Sequence, residues 1–212
     1  MYHRFQIKAN NMAQDLLINT LQREALRYLQ DNLNSIYHYH NAEHTLNVCT
    51  MIAEFSENCI LPENEIAALK IAAIFHDFGY LESAFDNEGL ALPFMMEFCK
   101  KYGVEEKVSH RAGELIMETA FPYHPVSAAG ELLCDADIEY IGRVCFFEKA
   151  GLFRQEMSAL NHIYSDQQWW KLELDFLQNN QFFSTVCREK RSAGRLANIA
   201  KVKAILAAMK QE

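Results

Sequence analysis

The chain has 212 residues, of which 50% are hydrophobic and 23% are charged, a composition typical of a globular protein with one sizeable core. Its formal net charge of -8 argues against tight binding to a nucleic-acid polymer or to an anionic membrane, because both are polyanions. The six cysteines form no C-x-x-C pair and no apolar run is long enough to span a bilayer, so we expect reduced thiols and a cytoplasmic protein.

The first third of the chain predicts three helices. Leucines between Leu16 and Leu29 recur at helical spacing and indicate an amphipathic N-terminal helix. Asn41 is a suitable cap for a second helix. Pro62 is expected to begin a third helix, whose apolar stripe ends at His76-Asp77 and which we expect Gly79 to stop.

Helical patterns continue through the middle of the chain. Pro93 is expected to kink or split a segment at 87–102, and Gly103 to close it. A further helix is predicted at 104–119, followed by a breaker at 121–125 that contains two prolines. Ser127 is then expected to open a helix that carries Asp135 and Asp137.

The C-terminal part is also helical in pattern. Ser165 and Gln168 form a potential capping box ahead of two tryptophans. Residues 182–210 have helical periodicity with a polar break at 192–194. No strand alternation, internal repeat or linker is evident, so the sequence predicts one all-α domain over residues 1–212.

Side chains that can bind a metal recur along these helices: His40, His44, His76, Asp77, Asp135 and Asp137. Imidazoles and carboxylates that converge in a helical bundle can hold a divalent ion and activate a water. An adjacent His-Asp pair alone is a common chance match, and a capping histidine beside a surface aspartate is the simpler alternative. The end of an apolar helix is more informative, because an unpaired buried charge there is costly.

Three segments together resemble a known family: 39–48 (YHNAEHTLNV), 73–80 (AIFHDFGY) and 134–138 (CDADI). Their ordered His…His-Asp…Asp pattern is similar to the signature of the HD-domain superfamily of metal-dependent phosphohydrolases. The likeness covers about residues 37–142, and a weaker likeness to small stand-alone HD hydrolases continues beyond it. The resemblance implies a single-domain helical bundle of the HD-domain type, with an HD core at about 37–142 and a helical extension at about 143–212.

The resemblance also implies a divalent-metal site whose ligands are His44, His76, Asp77 and Asp137. Asp135 is the alternative fourth ligand, because residues two apart on a helix diverge by about 200°. Asp77 would also accept the proton of the attacking water. His40 lies in a segment similar to one in cyclic-nucleotide phosphodiesterases, which implies that it donates a proton to the leaving oxygen.

The chain departs from the family where many members place a His-Glu pair for a second metal. Asn87 and Glu88 stand there, so we expect one metal rather than two, with Glu88 as an accessory candidate. Mn, Fe, Co, Ni, Zn and Mg are not distinguished by these ligands. The weaker accessory candidates are His110 and Arg111, which could meet a phosphate or form a solvated helix face, and the loop residue His124.

These patterns predict a metal-dependent phosphohydrolase that cleaves a phosphomonoester or phosphodiester bond with a metal-activated water. The expected partner is a small phosphorylated substrate, nucleotide-like as a first expectation, and the oligomeric state is left open. One alternative is a non-catalytic HD module that binds a nucleotide or regulates a partner. Another is a zinc peptidase, because residues 40–44 match H-x-x-E-H with Glu43 as the base. An iron-dependent oxidative HD enzyme is a further variant.

Overall fold

The computed structural model describes the backbone of residues 2–57 and 59–210, and the side chains of residues 12–57 and 59–210. These residues form nine α-helices and no strand, which confirms the all-α prediction. The helices are α1 (Tyr2–Asn32), α2 (Ala42–Ser56), α3 (Glu63–Phe75), α4 (Asn87–Tyr102), α5 (Glu106–Glu118), α6 (Ala128–Ile138), α7 (Phe146–Ala159), α8 (Asp166–Asn179) and α9 (Thr185–Ala208). Two short 3-10 turns follow α3 and α6, at Phe78–Leu81 and Glu139–Gly142.

Helix α3 lies at the centre of the bundle. It contacts α1, α2, α4, α5 and α6, and almost every side chain from Ala67 to Phe75 is buried. Four of these residues are alanines, whose small side chains let neighbouring helices approach closely. The C-terminal end of α3, where His76 follows, is therefore surrounded by protein.

The local signals for helix boundaries are confirmed. Polar caps, a proline start and a left-handed glycine stop are found at the predicted positions: Asn41, Pro62, Gly103, Ser127 and the Ser165–Gln168 capping box. Each cap satisfies backbone groups that the helix itself leaves unpaired. These five boundaries were therefore predictable from sequence alone.

The role predicted for Gly79 is wrong. Helix α3 ends at Phe75, and Gly79 lies within the following 3-10 turn. A Cβ at Gly79 would lie 1.9 Å from the backbone carbonyl oxygen of Asn87. This glycine is therefore needed for the close approach of the turn to the start of α4, and not for ending α3.

Neither of two predicted interruptions divides its helix. Helix α4 continues through Pro93 without being split, because buried side chains on both sides, such as Ala91 and Met95, keep it packed on the core. Helix α9 is continuous through 192–194. A Cβ at Gly194 would lie 2.0 Å from the carbonyl oxygen of Gly142, so the small residues there form a helix contact and not a break.

One hydrophobic core runs from Ile18 in α1 to Val202 in α9. Helix α7 is not among the predicted elements, although its apolar residues recur at helical spacing. It packs against the second 3-10 turn, and this position brings its residues towards the segment before α2. Among the described residues, no helix combines the length and the apolar character needed to cross a bilayer.

Candidate metal centre

The histidines and aspartates converge because three helix ends meet. His44 lies in the first turn of α2, which is fixed by Asn41: its Oδ1 accepts hydrogen bonds from the backbone N–H groups of Glu43 and His44. His76 and Asp77 leave the buried end of α3. Asp137 lies in the last turn of α6. The ordered motif is thus one cluster in space.

Donor atoms of His44, His76 and Asp77 lie within 4.8 Å of one another, and Asp137 adds a fourth donor atom beside the two imidazoles. His44 Nε2 is 3.0 Å from Asp137 Oδ1 and 3.3 Å from Asp77 Oδ2. His76 Nε2 is 3.3 Å from both His44 Nε2 and Asp77 Oδ2, and 3.6 Å from Asp137 Oδ1. Four tetrahedral ligands at about 2.1 Å from an ion stand about 3.4 Å apart. The donor set therefore suits a single divalent ion.

One of these atoms has no hydrogen-bond partner. Asp77 Oδ2 is buried and makes no hydrogen bond to any described residue, although it lies 3.3 Å from both imidazole nitrogens. An ionised oxygen in this position is costly unless a positive charge compensates it. The structure therefore contains an unsatisfied buried ligand atom where an ion would fit.

A backbone contact fixes the proton of His76. Its Nδ1 lies 3.0 Å from the carbonyl oxygen of Ala73, which can only accept, so Nδ1 carries the hydrogen. In the neutral ring the lone pair is then on Nε2, which faces Asp77 and His44. Backbone carbonyls commonly orient metal-binding histidines in this way.

The imidazoles and carboxyls of the cluster shift one another's pKa. Burial opposes the charged form of His44 and His76, yet the carboxylates of Asp77 and Asp137 outweigh burial and raise the pKa of both rings. Burial also opposes ionisation of the two carboxyls, but the imidazoles hold the pKa of Asp77 and Asp137 below their ordinary values. The four groups therefore attract positive charge, whether it is carried by protons or by a metal ion.

His40 stands beside this cluster and has a different partner. Its ring centroid is 5.9 Å from that of His44, and its Nδ1 lies 2.5 Å from Glu156 Oε1 on α7. Glu156 Oε2 also accepts the backbone N–H groups of Tyr39 and His40 at 2.9 and 3.0 Å. Stacking on Tyr80, with ring centroids 4.3 Å apart, holds the other face of His40. The imidazole is thus fixed in position by a fully buried carboxylate.

Two residues of the site were missed by the sequence analysis. Glu156 lies on helix α7, which was not predicted. The only signal in the sequence was a charged residue one helical turn after Phe153 and adjacent to Met157. Tyr123 lies in the loop that was read as a simple breaker; its hydroxyl donates to Asp137 Oδ2 at 3.0 Å. Tyr123 therefore orients the carboxylate of Asp137.

Asp135 lies apart from the four-atom cluster. Its Oδ1 accepts the backbone N–H of Phe183, and its Oδ2 accepts the N–H and the hydroxyl of Ser184. Burial nevertheless raises the pKa of Asp135 to about 6. Asp135 thus connects α6 to the start of α9, on a different side of the helix from Asp137.

The accessory candidates are dispersed. Glu88 is half-buried at the start of α4, and its pKa is raised by burial and, less strongly, by Asp77 and Asp137. His110 and His124 are exposed, and His110 pairs with Glu106. Arg111 binds Glu65 at the opposite end of α3 from His76, about 16 Å along the helix. The structure brings only Glu88 near the cluster.

The H-x-x-E-H segment is not arranged around one ion. Glu43 is largely exposed and its Oε1 accepts from Lys149 Nζ at 2.7 Å. His40 is paired with Glu156, while His44 faces the aspartates. The three side chains of a peptidase motif therefore point to different partners.

A cavity of about 260 Å³ opens beside the cluster. His40 and Asp137 both line it, so a molecule bound there would meet both groups. Glu173 on α8 supplies one further carboxyl. The rest of the wall is mainly aromatic and is formed by Tyr39, Phe121, Tyr123, Tyr140, Phe153 and Phe176. A small molecule bound in this cavity would therefore lie next to the cluster.

No protein-family model matches the sequence, and no curated protein is significantly similar to it. The resemblance to HD-domain proteins therefore stays a prediction that rests on the three motifs.

Proposed function

We propose that the chain is a cytoplasmic, metal-dependent phosphohydrolase of the HD-domain type, which cleaves a phosphoester bond in a small molecule. The observation that carries this proposal is the grouping of His44, His76 and Asp77 around one unsatisfied carboxylate oxygen, with Asp137 against both imidazoles and a cavity alongside. Six free cysteines support a reducing compartment. Such ligands suit Mn, Fe, Co, Ni or Zn, with Mg a weaker fit because it favours oxygen.

The cluster residues would hold the ion and position the attacking water. A divalent ion bound there supplies Lewis acidity, which lowers the pKa of water and offsets negative charge on phosphoryl oxygens. Asp77 would accept the proton of the water through the carboxylate oxygen that does not hold the ion. Tyr123 keeps Asp137 in place through its hydroxyl. One ion per chain is expected, because asparagine and not histidine stands at position 87.

His40 is the proposed general acid. Glu156 accepts the Nδ1 hydrogen, so the Nε2 hydrogen of the protonated ring is the one that can be transferred to the departing oxygen. This buried carboxylate also keeps the ring oriented before and after the transfer. His40 and Asp137 both line the cavity. The leaving oxygen of a bound phosphoester could therefore meet His40 while its phosphoryl group lies near Asp137.

The test is a screen of phosphomonoesters, phosphodiesters and nucleotides with metal-loaded protein. We expect His40→Ala to bind metal with unchanged stoichiometry and to lower kcat about 10²- to 10⁴-fold, the usual contribution of general acid catalysis. His162→Ala, which removes an exposed histidine from the loop after α7, is the matched control and should keep full activity. Loss of metal from His40→Ala would overturn the assigned role.

The same screen separates the alternatives. Glu43→Gln should retain phosphoester hydrolysis, because Glu43 points to Lys149 and not to the cluster. Peptide cleavage that disappears in Glu43→Gln would support the peptidase instead. Absence of turnover for every phosphoester, with metal bound, would leave the non-catalytic binding module as the better account.

A further inference from the structure

The mechanism leaves one buried acid without a role. Glu173 on α8 is 2% exposed, and its Oε2 makes no hydrogen bond to any described residue. Burial alone raises the pKa of this carboxyl to about 7. An unsatisfied carboxyl in the interior lowers stability, so its position in the wall of the substrate cavity indicates a ligand partner.

The surroundings of Glu173 favour a cation as that partner. No lysine or arginine is among the described residues that line the cavity, and its only other carboxylate is Asp137. Six aromatic rings make up most of the remaining wall. Aromatic faces carry partial negative charge and attract ammonium groups. Among the titratable groups of the wall, Tyr140 is close enough for Glu173 to raise its pKa, and His40 has its Nδ1 paired with Glu156.

The rings that line the cavity are tilted against one another and are not stacked in parallel. Tyr39 lies at 58° to Tyr140 and at 63° to Phe153, with centroids 5.4 and 5.9 Å apart. Phe121 lies at 88° to Tyr123 and at 36° to Phe176. A flat base is usually held between nearly parallel faces, whereas tilted rings can surround a rounded group. At about 260 Å³, the cavity is also slightly below the usual size of a small-molecule site.

We propose that this cavity binds an organic ammonium group, primary or alkylated, through Glu173 and the surrounding rings. Building on the proposed function, the ammonium belongs to the alcohol part of the phosphoester substrate. The phosphoryl group then lies towards Asp137 and His40, on the metal-centre side of the cavity. The substrate class is therefore a compact aminoalkyl phosphoester, in place of the nucleotide-like molecule first expected.

The test measures binding of the alcohol part alone, in chelator, so that neither metal nor turnover is needed. The probes are choline and ethanolamine, with the uncharged isostere 3,3-dimethylbutan-1-ol and guanosine as comparisons, followed by calorimetry or ligand-observed NMR. At least one ammonium probe should bind at least about tenfold more tightly than the neutral isostere. Which of the two binds more tightly distinguishes an alkylated from a primary ammonium.

Glu173→Gln should weaken ammonium binding about tenfold, since it removes the negative charge and keeps the shape. Asp175→Asn is the matched control, because it removes the same charge from an exposed position on α8. Equal binding of the ammonium and neutral probes, retention of affinity in Glu173→Gln, or tighter Glu173-dependent binding of guanosine would each overturn the proposal. Ammonium binding without hydrolysis of any phosphoester would refute the proposed function and leave the cation site standing.

Discussion

Among the described residues, two buried carboxyls have an oxygen without a hydrogen bond, and their surroundings affect them in opposite ways. At Asp77 the nearby imidazoles outweigh burial and lower the pKa. At Glu173 burial raises the pKa to about 7. The first group is therefore ionised and ready to bind a cation in the cluster. The ionised form of Glu173 becomes favourable when a cation from outside the protein binds next to it.

The raised pKa of Glu173 has a consequence for stability. Folding favours its protonated form, so this contribution is fully present below about pH 4.5 and is lost as the pH rises through about 7. The shift corresponds to roughly 3 kcal/mol. We expect the free energy of unfolding of the wild type to fall by about this amount relative to Glu173→Gln between pH 4.5 and 7.5, measured by urea denaturation in chelator.

Asp175→Asn again provides the control, since its pH profile should follow that of the wild type. Profiles of wild type and Glu173→Gln that remain parallel over this interval would show that the carboxyl is solvated in the folded protein.

At the scale of single elements, the two aspartates of α6 have different partners. Asp137 faces the histidines, while Asp135 receives three hydrogen bonds from the start of α9. Asp135→Asn leaves at least one of these donors without an acceptor. We expect it to lower the free energy of unfolding by about 2 kcal/mol, measured by urea denaturation, with metal binding retained.

Glu131→Gln, on the same helix but only partly buried, should change stability much less. If Asp135→Asn abolished metal binding in a protein that remains folded, Asp135 would have to be counted as part of the metal centre.

Local signals predicted the helix starts and the order of the motif, because caps and periodicity act within a few residues. The separation of Asp135 from Asp137 also followed from helix geometry. Glu156 could not be predicted in this way: it pairs with His40 from 116 residues away. Glu173 was missed for the same reason, since its significance depends on rings that come from several distant segments. The unbroken α9 reflects a long-range contact between Gly194 and Gly142.

At the scale of the whole molecule, the site extends beyond the segment that carries the motifs. The candidate metal centre lies where the ends of α2, α3 and α6 meet, within the expected core at about 37–142. Helices α7 and α8, from the expected extension at about 143–212, supply Glu156, Phe153 and Glu173. The C-terminal helices therefore form one wall of the candidate active site, and a fragment that ended near residue 142 would lack the partner of His40.

The most direct test of the account is a calorimetric titration of chelator-treated protein with Mn²⁺, comparing wild type with His76→Ala. His110→Ala is the matched control, because it removes an exposed histidine whose partner is Glu106 on α5 and not a residue of the cluster. We predict one equivalent of bound metal for wild type and for His110→Ala, and affinity weakened by more than about 100-fold in His76→Ala. If His76→Ala binds Mn²⁺ with wild-type affinity and stoichiometry, the four-residue cluster is not a metal centre.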